Sequence, residues 1–369
     1  MNIIAVAMFI VAYIAGRTPS QKINPLGDKV PNMMGFVIPA VVFSVFSGLR
    51  NRAGDTQAYL IKLEEMLQSG DRPGLGFGKN KNFQFIMWWT NDLGNKTGFF
   101  KDDYQMFILI TALASLIPVI YILYKYSASY ELAIALFVYE GYFAASLNGI
   151  RQYVAAGIMV LATKYLLSEK KNAFFYYLPF ILISYTIHSS VIILLPIFFL
   201  IRRKSFTAMF YVITVASIVL TITFDSFLST FFDTIENTSY SGYATTGWFT
   251  SGEEGGASVF RALVAAVPLV LSYFRLDFIR ERLGKKGDML INLCLFRTVF
   301  QIVAVYNWIF ARLTIYLDVY YIILLIWLLK YAYAEYDRKV VYGLATFLFY
   351  IYFNNMRYMI DAYSSKYIG

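Results

Sequence analysis

Apolar runs recur along this chain from its first residues almost to its last, separated by short polar or charged stretches. Most approach the ~20 residues that a helix needs to cross the hydrocarbon core of a bilayer. The runs are continuous rather than alternating, which selects helices over the strands of a closed barrel, the other structure that satisfies its backbone in lipid. Hydropathy and charge together predict about twelve helices. Their spans are 2–16, 33–49, 104–124, 129–147, 150–167, 173–187, 188–201, 205–223, 257–274, 287–308, 310–330 and 340–353. The fold class that follows is an all-α polytopic integral membrane protein, with residues 1–369 as a single membrane domain. Its longer extracytoplasmic loops are expected near 50–103 and 224–256.

Two details of this threading rest on local chemistry. Pro179, Pro196 and the polar run Thr186-Ile187-His188-Ser189-Ser190 divide 173–201 into two short helices that meet near a surface. The segment from Asn2 to Ala15 lacks a basic leading region and a small-residue cleavage site, so it reads as a retained first helix rather than a signal peptide.

Basic loops mark the cytoplasmic side of a polytopic protein. Arg202-Arg203-Lys204 and the segment with Arg275, Arg280, Arg282, Lys285 and Lys286 belong there. Between them, Asp225 to Gly256 holds Asp225, Asp233, Glu236, Glu253 and Glu254 but no Lys or Arg, and belongs outside. Counting helices in both directions then puts Arg17, Lys22, Lys29, Lys164, Lys170, Lys171, Lys330, Arg338 and Lys339 inside. That agreement requires 173–201 to cross twice. The same count brings Arg50, Arg52, Asp55, Arg151, His188 and Arg312 to the extracytoplasmic ends of helices, although they are far apart in sequence.

Composition sharpens this picture. The chain is 59% hydrophobic and only 15% charged, so the position of each charge carries information. Its net charge of +9 is accounted for by cytoplasmic loops and does not imply nucleic-acid binding. The single cysteine, Cys294, lies in an apolar run and supports neither a disulfide framework nor a thiolate metal site.

The stretch Gly48-Leu49-Arg50-Asn51-Arg52-Ala53-Gly54-Asp55-Thr56-Gln57-Ala58-Tyr59 packs two arginines, a carboxylate and a tyrosine directly after an apolar helix. Interfacial snorkelling would explain the arginines. On the non-cytoplasmic side, however, they run against the usual charge bias and suit an anionic, membrane-borne substrate. Gly54 allows a tight turn, and Asp55 is placed to orient an arginine or act on a sugar hydroxyl. Asn148, Arg151 and Gln152 are spaced i, i+3, i+4, so they share a helix face, followed by the small Ala155 and Ala156. A membrane arginine normally has a partner, and Glu140 is the structural alternative to a ligand. His188, the lone histidine, cannot build a multi-histidine zinc site, and Ser184 and Tyr185 one turn back could simply hydrogen-bond it. Arg312 and Tyr316 are spaced i, i+4, with Asp318 nearby. Tyr240, Tyr243 and Trp248 in the outer loop could stack on sugar rings, or serve only as interfacial aromatics. There is no Walker A sequence, no Asp-x-Asp and no evident inverted repeat of interrupted helices.

The order Gly48-Leu49-Arg50, Gly54-Asp55-Thr56, Tyr59, then Asn148-x-x-Arg151-Gln152-x-x-Ala155, His188-Ser189-Ser190 and Arg312-x-x-x-Tyr316 resembles the EpsG family of Wzy-like bacterial polysaccharide polymerases. The resemblance runs from about Phe46 to Trp327. It departs from many members in reading Gly-Asp-Thr for Gly-Thr-Asp, and in lacking a glutamate around Phe83-Gln84-Phe85. The resemblance implies a GT-C-like fold in the bacterial cytoplasmic membrane, with its active site on the extracytoplasmic face and no metal or other cofactor. Such an enzyme moves a glycan from undecaprenyl diphosphate onto the sugar end of another lipid-linked repeat unit, building exopolysaccharide, capsule or O-antigen. Its partners are undecaprenyl-diphosphate-linked oligosaccharide, membrane lipid and a chain-length regulator protein. On that reading His188 or Asp55 is the general base, and Arg50, Arg52, Tyr59, Asn148, Arg151, Gln152, Arg312 and Tyr316 bind substrate. An O-antigen ligase and a flippase or transporter of lipid-linked sugars are the competing readings. The transporter rests on the acids Glu140, Asp318 and Glu335.

Overall fold

A computed structural model describes residues 2–77, 81–101, 104–223, 256–356 and 363–367. Helix makes up the regular structure of these residues, with no β-strand among them. The acidic segment 224–255, expected outside, with Tyr240, Tyr243 and Trp248, is not among the described residues.

By packing the chain falls into two compact units, Met1–Phe198 with Leu325–Gly369, and Phe199–Leu324. In the first unit run α1 (Asn2–Arg17), α2 (Met34–Gly48), α3 (Thr56–Gln68), α4 (Lys81–Thr97) and α5 (Gln105–Tyr126). They are followed by α6 (Tyr130–Tyr139), α7 (Tyr142–Ser146), α8 (Ile150–Leu161), α9 (Thr163–Leu166), α10 (Ala173–Tyr185) and α11 (Leu194–Leu200), whose last two residues fall in the second unit. The 22-residue α5 is the axis of this unit and packs against α2, α4 and α8. A Cβ on Gly157 of α8 would lie 2.3 Å from the carbonyl oxygen of Ala114 on α5, so only glycine lets these two backbones meet.

The second unit contains α12 (Ala208–Ile222), α13 (Val259–Phe274), α14 (Leu276–Leu283) and α15 (Lys285–Ala304). A 3-10 segment, Trp308–Tyr316, leads into α16 (Asp318–Trp327), a π-helical turn follows at Leu328–Ala332, and α17 (Arg338–Met356) rejoins the first unit. The second unit is built round α15, whose Thr298 hydroxyl donates to the Ala265 carbonyl on α13 at 2.9 Å. Arg297 of α15 is buried against Asp318, Nε to Oδ1 2.7 Å, with its guanidinium 4.0 Å from the centre of the Tyr321 ring. At the opposite end of α15, Asp288 accepts from the Ser205 amide at 3.0 Å and from Arg280 at 3.1 Å.

Each expected span coincides with helical structure, but helix is not the same as crossing. Among the described residues, only α5 and α15 are single helices long and apolar enough to cross a membrane. Counting α13 with α14, and the 3-10 segment with α16 and its π turn, as bent spans raises the number to four among the described residues. Some expected spans are unbroken but short, as in α1, α2 and α12 with 16, 15 and 15 residues, and others are broken. Gly141, in the left-handed region at φ +95°, splits 129–147 into α6 and α7. The extended backbone of His188 breaks 173–201 where the polar run suggested, with a 3-10 turn, Ser189–Ile193, leading into α11.

The region 50–103, expected as a loop, holds α3 and α4. On α4, Phe83, Met87, Thr90 and Asn91 are buried along one side, a helical stripe that a hydropathy average dilutes with its polar neighbours.

Candidate functional site

Two turns of chain in the first unit clasp each other. The turn 50–55 joins α2 to α3, and the turn 147–149 joins α7 to α8. Asp55 stands at the N-cap position of α3, yet its side chain caps another helix instead. Its Oδ2 accepts from the Gly149 amide at 2.9 Å, immediately before α8. Gly54 permits this approach. Its φ is +48°, and an added Cβ would lie 2.6 Å from the Leu147 oxygen and 2.7 Å from the Asn148 Cα. The Gly-Asp-Thr and Asn-x-x-Arg-Gln motifs are therefore in direct contact.

Arg50 holds the first turn shut. Its Nε donates to the Thr56 hydroxyl at 2.9 Å, and a terminal nitrogen donates to the Ser47 carbonyl at 2.6 Å and to the Ser47 hydroxyl at 2.7 Å. The Gln105 amide nitrogen, from the start of α5, donates to the Gly48 and Arg50 carbonyls at 2.6 and 2.9 Å. Arg50 is 2% exposed, and burial pulls its guanidinium down to about 10 despite the raising influence of Tyr363 and Asp55. It stays charged at neutral pH. Its Nε and one terminal nitrogen are thus engaged by the turn it closes. Arg52, by contrast, is exposed, and its backbone bridges to Ser364. The Tyr59 ring packs edge-on against Phe83 at 5.4 Å and near Phe107 at 6.3 Å, inside an aromatic cluster.

The first turn of α8 carries the other half of the site. Asn148 accepts from the Gly149 amide at 3.0 Å through its side-chain oxygen. Arg151 is half-buried, and its Nε lies out of solvent with no hydrogen-bond partner. The alternative ion pair with Glu140 is not formed; no ion pair or hydrogen bond of the Arg151 side chain is seen among the described residues. Gln152 is 2% exposed and donates from its amide nitrogen to the Ser190 hydroxyl at 3.2 Å, which lies 2.7 Å from His188 Nδ1. One α-helical turn thus carries contacts from Asp55 through Gly149 and Gln152 to His188. Asn82 of α4 secures the same break, its backbone and side chain donating to the carbonyl and hydroxyl of Thr186 at 3.0 and 2.9 Å.

Arg312 and Tyr316 belong to the second unit. Their segment winds as a 3-10 helix rather than an α-helix. With three residues per turn, the two lie about 120° apart around the axis instead of sharing a face. Arg312 sits over the Trp308 ring at 5.0 Å, and Tyr316 is 6% exposed. Among the described residues, no three His, Cys, Asp or Glu side chains gather into a metal-ligand set.

A family model describing the EpsG family matches residues 33–368. The chain belongs to the EpsG family. That family is related to Wzy-like polysaccharide polymerases, which makes this helical membrane protein, at the coarse level, a glycosyltransferase-like polymerase of the envelope. No curated protein and no solved structure matches the chain. The EpsG match spans every motif that carried the resemblance. Sequence reasoning missed three residues that build the site: Gln105, Ser190 in its link to Gln152, and Thr56 as partner of Arg50. All three are polar residues at helix ends, where a polar side chain is ordinarily read as solvent-facing.

Proposed function

We propose that this protein transfers a glycan from undecaprenyl diphosphate onto the sugar end of a second lipid-linked repeat unit, at the extracytoplasmic face of a bacterial cytoplasmic membrane. The observation that carries this reading is the buried, unpartnered Nε of Arg151 at the start of α8, set between the Asp55 clasp and the His188 break. An orphaned guanidinium N–H is costly unless something accepts from it. A planar fork of donors suits the oxygens of a diphosphate. Arg151 is the principal diphosphate ligand in this scheme, and the exposed Arg52 assists.

The acceptor hydroxyl oxygen forms a bond to the anomeric carbon of the donor sugar, and the bond from that carbon to the phosphate oxygen breaks. Its electron pair leaves with the lipid diphosphate, and the hydroxyl proton passes to a base, Asp55 or His188. Transport is the weaker reading. Asp318, one of the acids it rested on, is paired with Arg297, and Glu335 is exposed. The test uses the purified protein in lipid, given lipid-diphosphate-linked repeat units and no nucleotide. A ladder of polymer lengths is expected. Substrate that moves across the bilayer with unchanged length would overturn the reading in favour of a flippase.

A further inference from the structure

Two helix breaks among the described residues have the same local form. In each, an α-helix ends in a two-residue turn, one residue is extended, and a 3-10 helix begins. The extended residue is His188 in the first unit (φ −146°, ψ 115°) and Asn307 in the second (φ −139°, ψ 118°). In each case its side chain accepts the amide N–H two residues on. Asn307 Oδ1 takes the Ile309 amide at 3.0 Å, and His188 Nδ1 takes the Ser190 amide at 3.4 Å.

An amide oxygen carries no hydrogen, so the requirement shared by these positions is a lone pair aimed at a backbone N–H. At residue 188 that lone pair belongs to Nδ1. The Ser190 hydroxyl is 2.7 Å from the same nitrogen. The Ser190 amide can only donate, so it requires the lone pair at Nδ1, and the Ser190 hydroxyl, which accepts from Gln152 and keeps its own hydrogen, can then donate to the same nitrogen. Two donors therefore converge on Nδ1, and a proton on that nitrogen would face both.

We propose that Ser190 and Gln152 are positioning residues that hold His188 in the tautomer protonated at Nε2. In glycan transfer His188 is then a hydrogen-bond donor rather than the base. This rests on the reaction proposed above. The electron pair released when the bond from anomeric carbon to oxygen breaks comes to rest on a diphosphate oxygen, and Nε2–H donates to that oxygen as its charge grows. The proton of the attacking hydroxyl goes to the Asp55 carboxylate, whose Oδ2 is fixed by the Gly149 amide. No electron is gained or lost overall.

The chain contains one histidine, so a protein labelled with nitrogen-15 histidine gives a single imidazole spin system. In lipid nanodiscs without substrate, the downfield, lone-pair nitrogen should couple to Hε1 alone and the upfield, protonated nitrogen to both Hε1 and Hδ2. The reverse assignment overturns the proposal while leaving glycan transfer untouched, because no substrate is present. Ser190→Ala should remove the preference and bring the two nitrogen shifts together; an unchanged spectrum would show that Ser190 does not set the tautomer. For the chemistry, His188→Asn keeps an acceptor for the Ser190 amide, as Asn307 does for Ile309, but has nothing in place of Nε2–H. Normal protein levels with kcat lowered about 10²-fold and little change in KM are expected. His188→Gln reaches the Nε2 position with an amide donor and should recover part of that loss. Wild-type turnover by His188→Asn would remove the donor role.

Discussion

Arg50 and Arg151 carry the same guanidinium in opposite situations. Arg50 is enclosed by Ser47 and Thr56, whereas Arg151 has a buried nitrogen that nothing in the described chain satisfies. Arg50→Ala should therefore lower the amount of folded protein recovered from membranes, since it removes the buried donors to Thr56 and Ser47 at about 1–3 kcal/mol. Arg151→Ala should leave that amount unchanged and abolish the polymer ladder. Lysine keeps the charge but not the fork, so Arg151→Lys should be impaired nearly as badly. Size-exclusion yield and the ladder assay, run side by side, separate the two. Normal polymer from Arg151→Ala at normal abundance would take this residue out of the site. Gly54 is a third case, because its φ of +48° and its contact with Leu147 both exclude a side chain. Gly54→Ala should cost about 1–2 kcal/mol in backbone strain alone. It should also part Asp55 from Gly149, seen as a lower melting temperature together with lost turnover.

At the scale of helices, close approach decides which substitutions matter. Gly157→Ala on α8 would drive a methyl group into the α5 backbone, whereas a Cβ on Gly343 of α17 meets nothing within 4 Å. The first should lower thermal stability sharply. The second should leave it unchanged or raise it by about 0.5–1 kcal/mol, because alanine is the better helix former. Equal effects in a fluorescence-detected melting series would contradict the α5–α8 packing. Helices such as α5 were legible in the sequence because a long apolar run has one structural solution in lipid. The break at His188 was legible too, from the polar run 186–190 beside Pro179 and Pro196. What the pattern did not carry was α4, whose stripe from Phe83 to Asn91 is interrupted by polar residues. Nor did it carry the 3-10 winding of Trp308–Tyr316. No local residue preference separates that winding from an α-helix, and it moves Tyr316 off the face of Arg312. Asp55, Arg151 and His188 stand out as candidates in the sequence because scarce polar and charged groups at helix ends are informative. Gln105 and the Gln152–Ser190 link were not, because which helix end a polar side chain reaches is settled only by packing.

At the scale of the molecule, the proposed reaction depends on which side of the membrane the clasped turns occupy. Lipid-linked repeat units polymerised outside can reach only an extracytoplasmic site. The basic loops predict an orientation: Lys164, Lys170 and Lys171 follow α8 closely, and a cytoplasmic position for them would put the start of α8, with Arg151, at the outer surface. Ser69, at the end of α3, then lies outside as well. Both Ser69 and Lys170 are exposed, and the one native cysteine, Cys294, is buried. With Cys294 replaced by alanine, Ser69→Cys in intact cells should react with a membrane-impermeant maleimide. Lys170→Cys should react only after the membrane is opened. Each variant must still produce polymer, so that the labelled population is the folded one. If Lys170→Cys is the one labelled in intact cells, the orientation is reversed, Arg151 and His188 face the cytoplasm, and polymerisation at an outer site is excluded. If both are labelled, an even number of crossings separates them, and at least one of the expected spans 104–124, 129–147 and 150–167 does not cross.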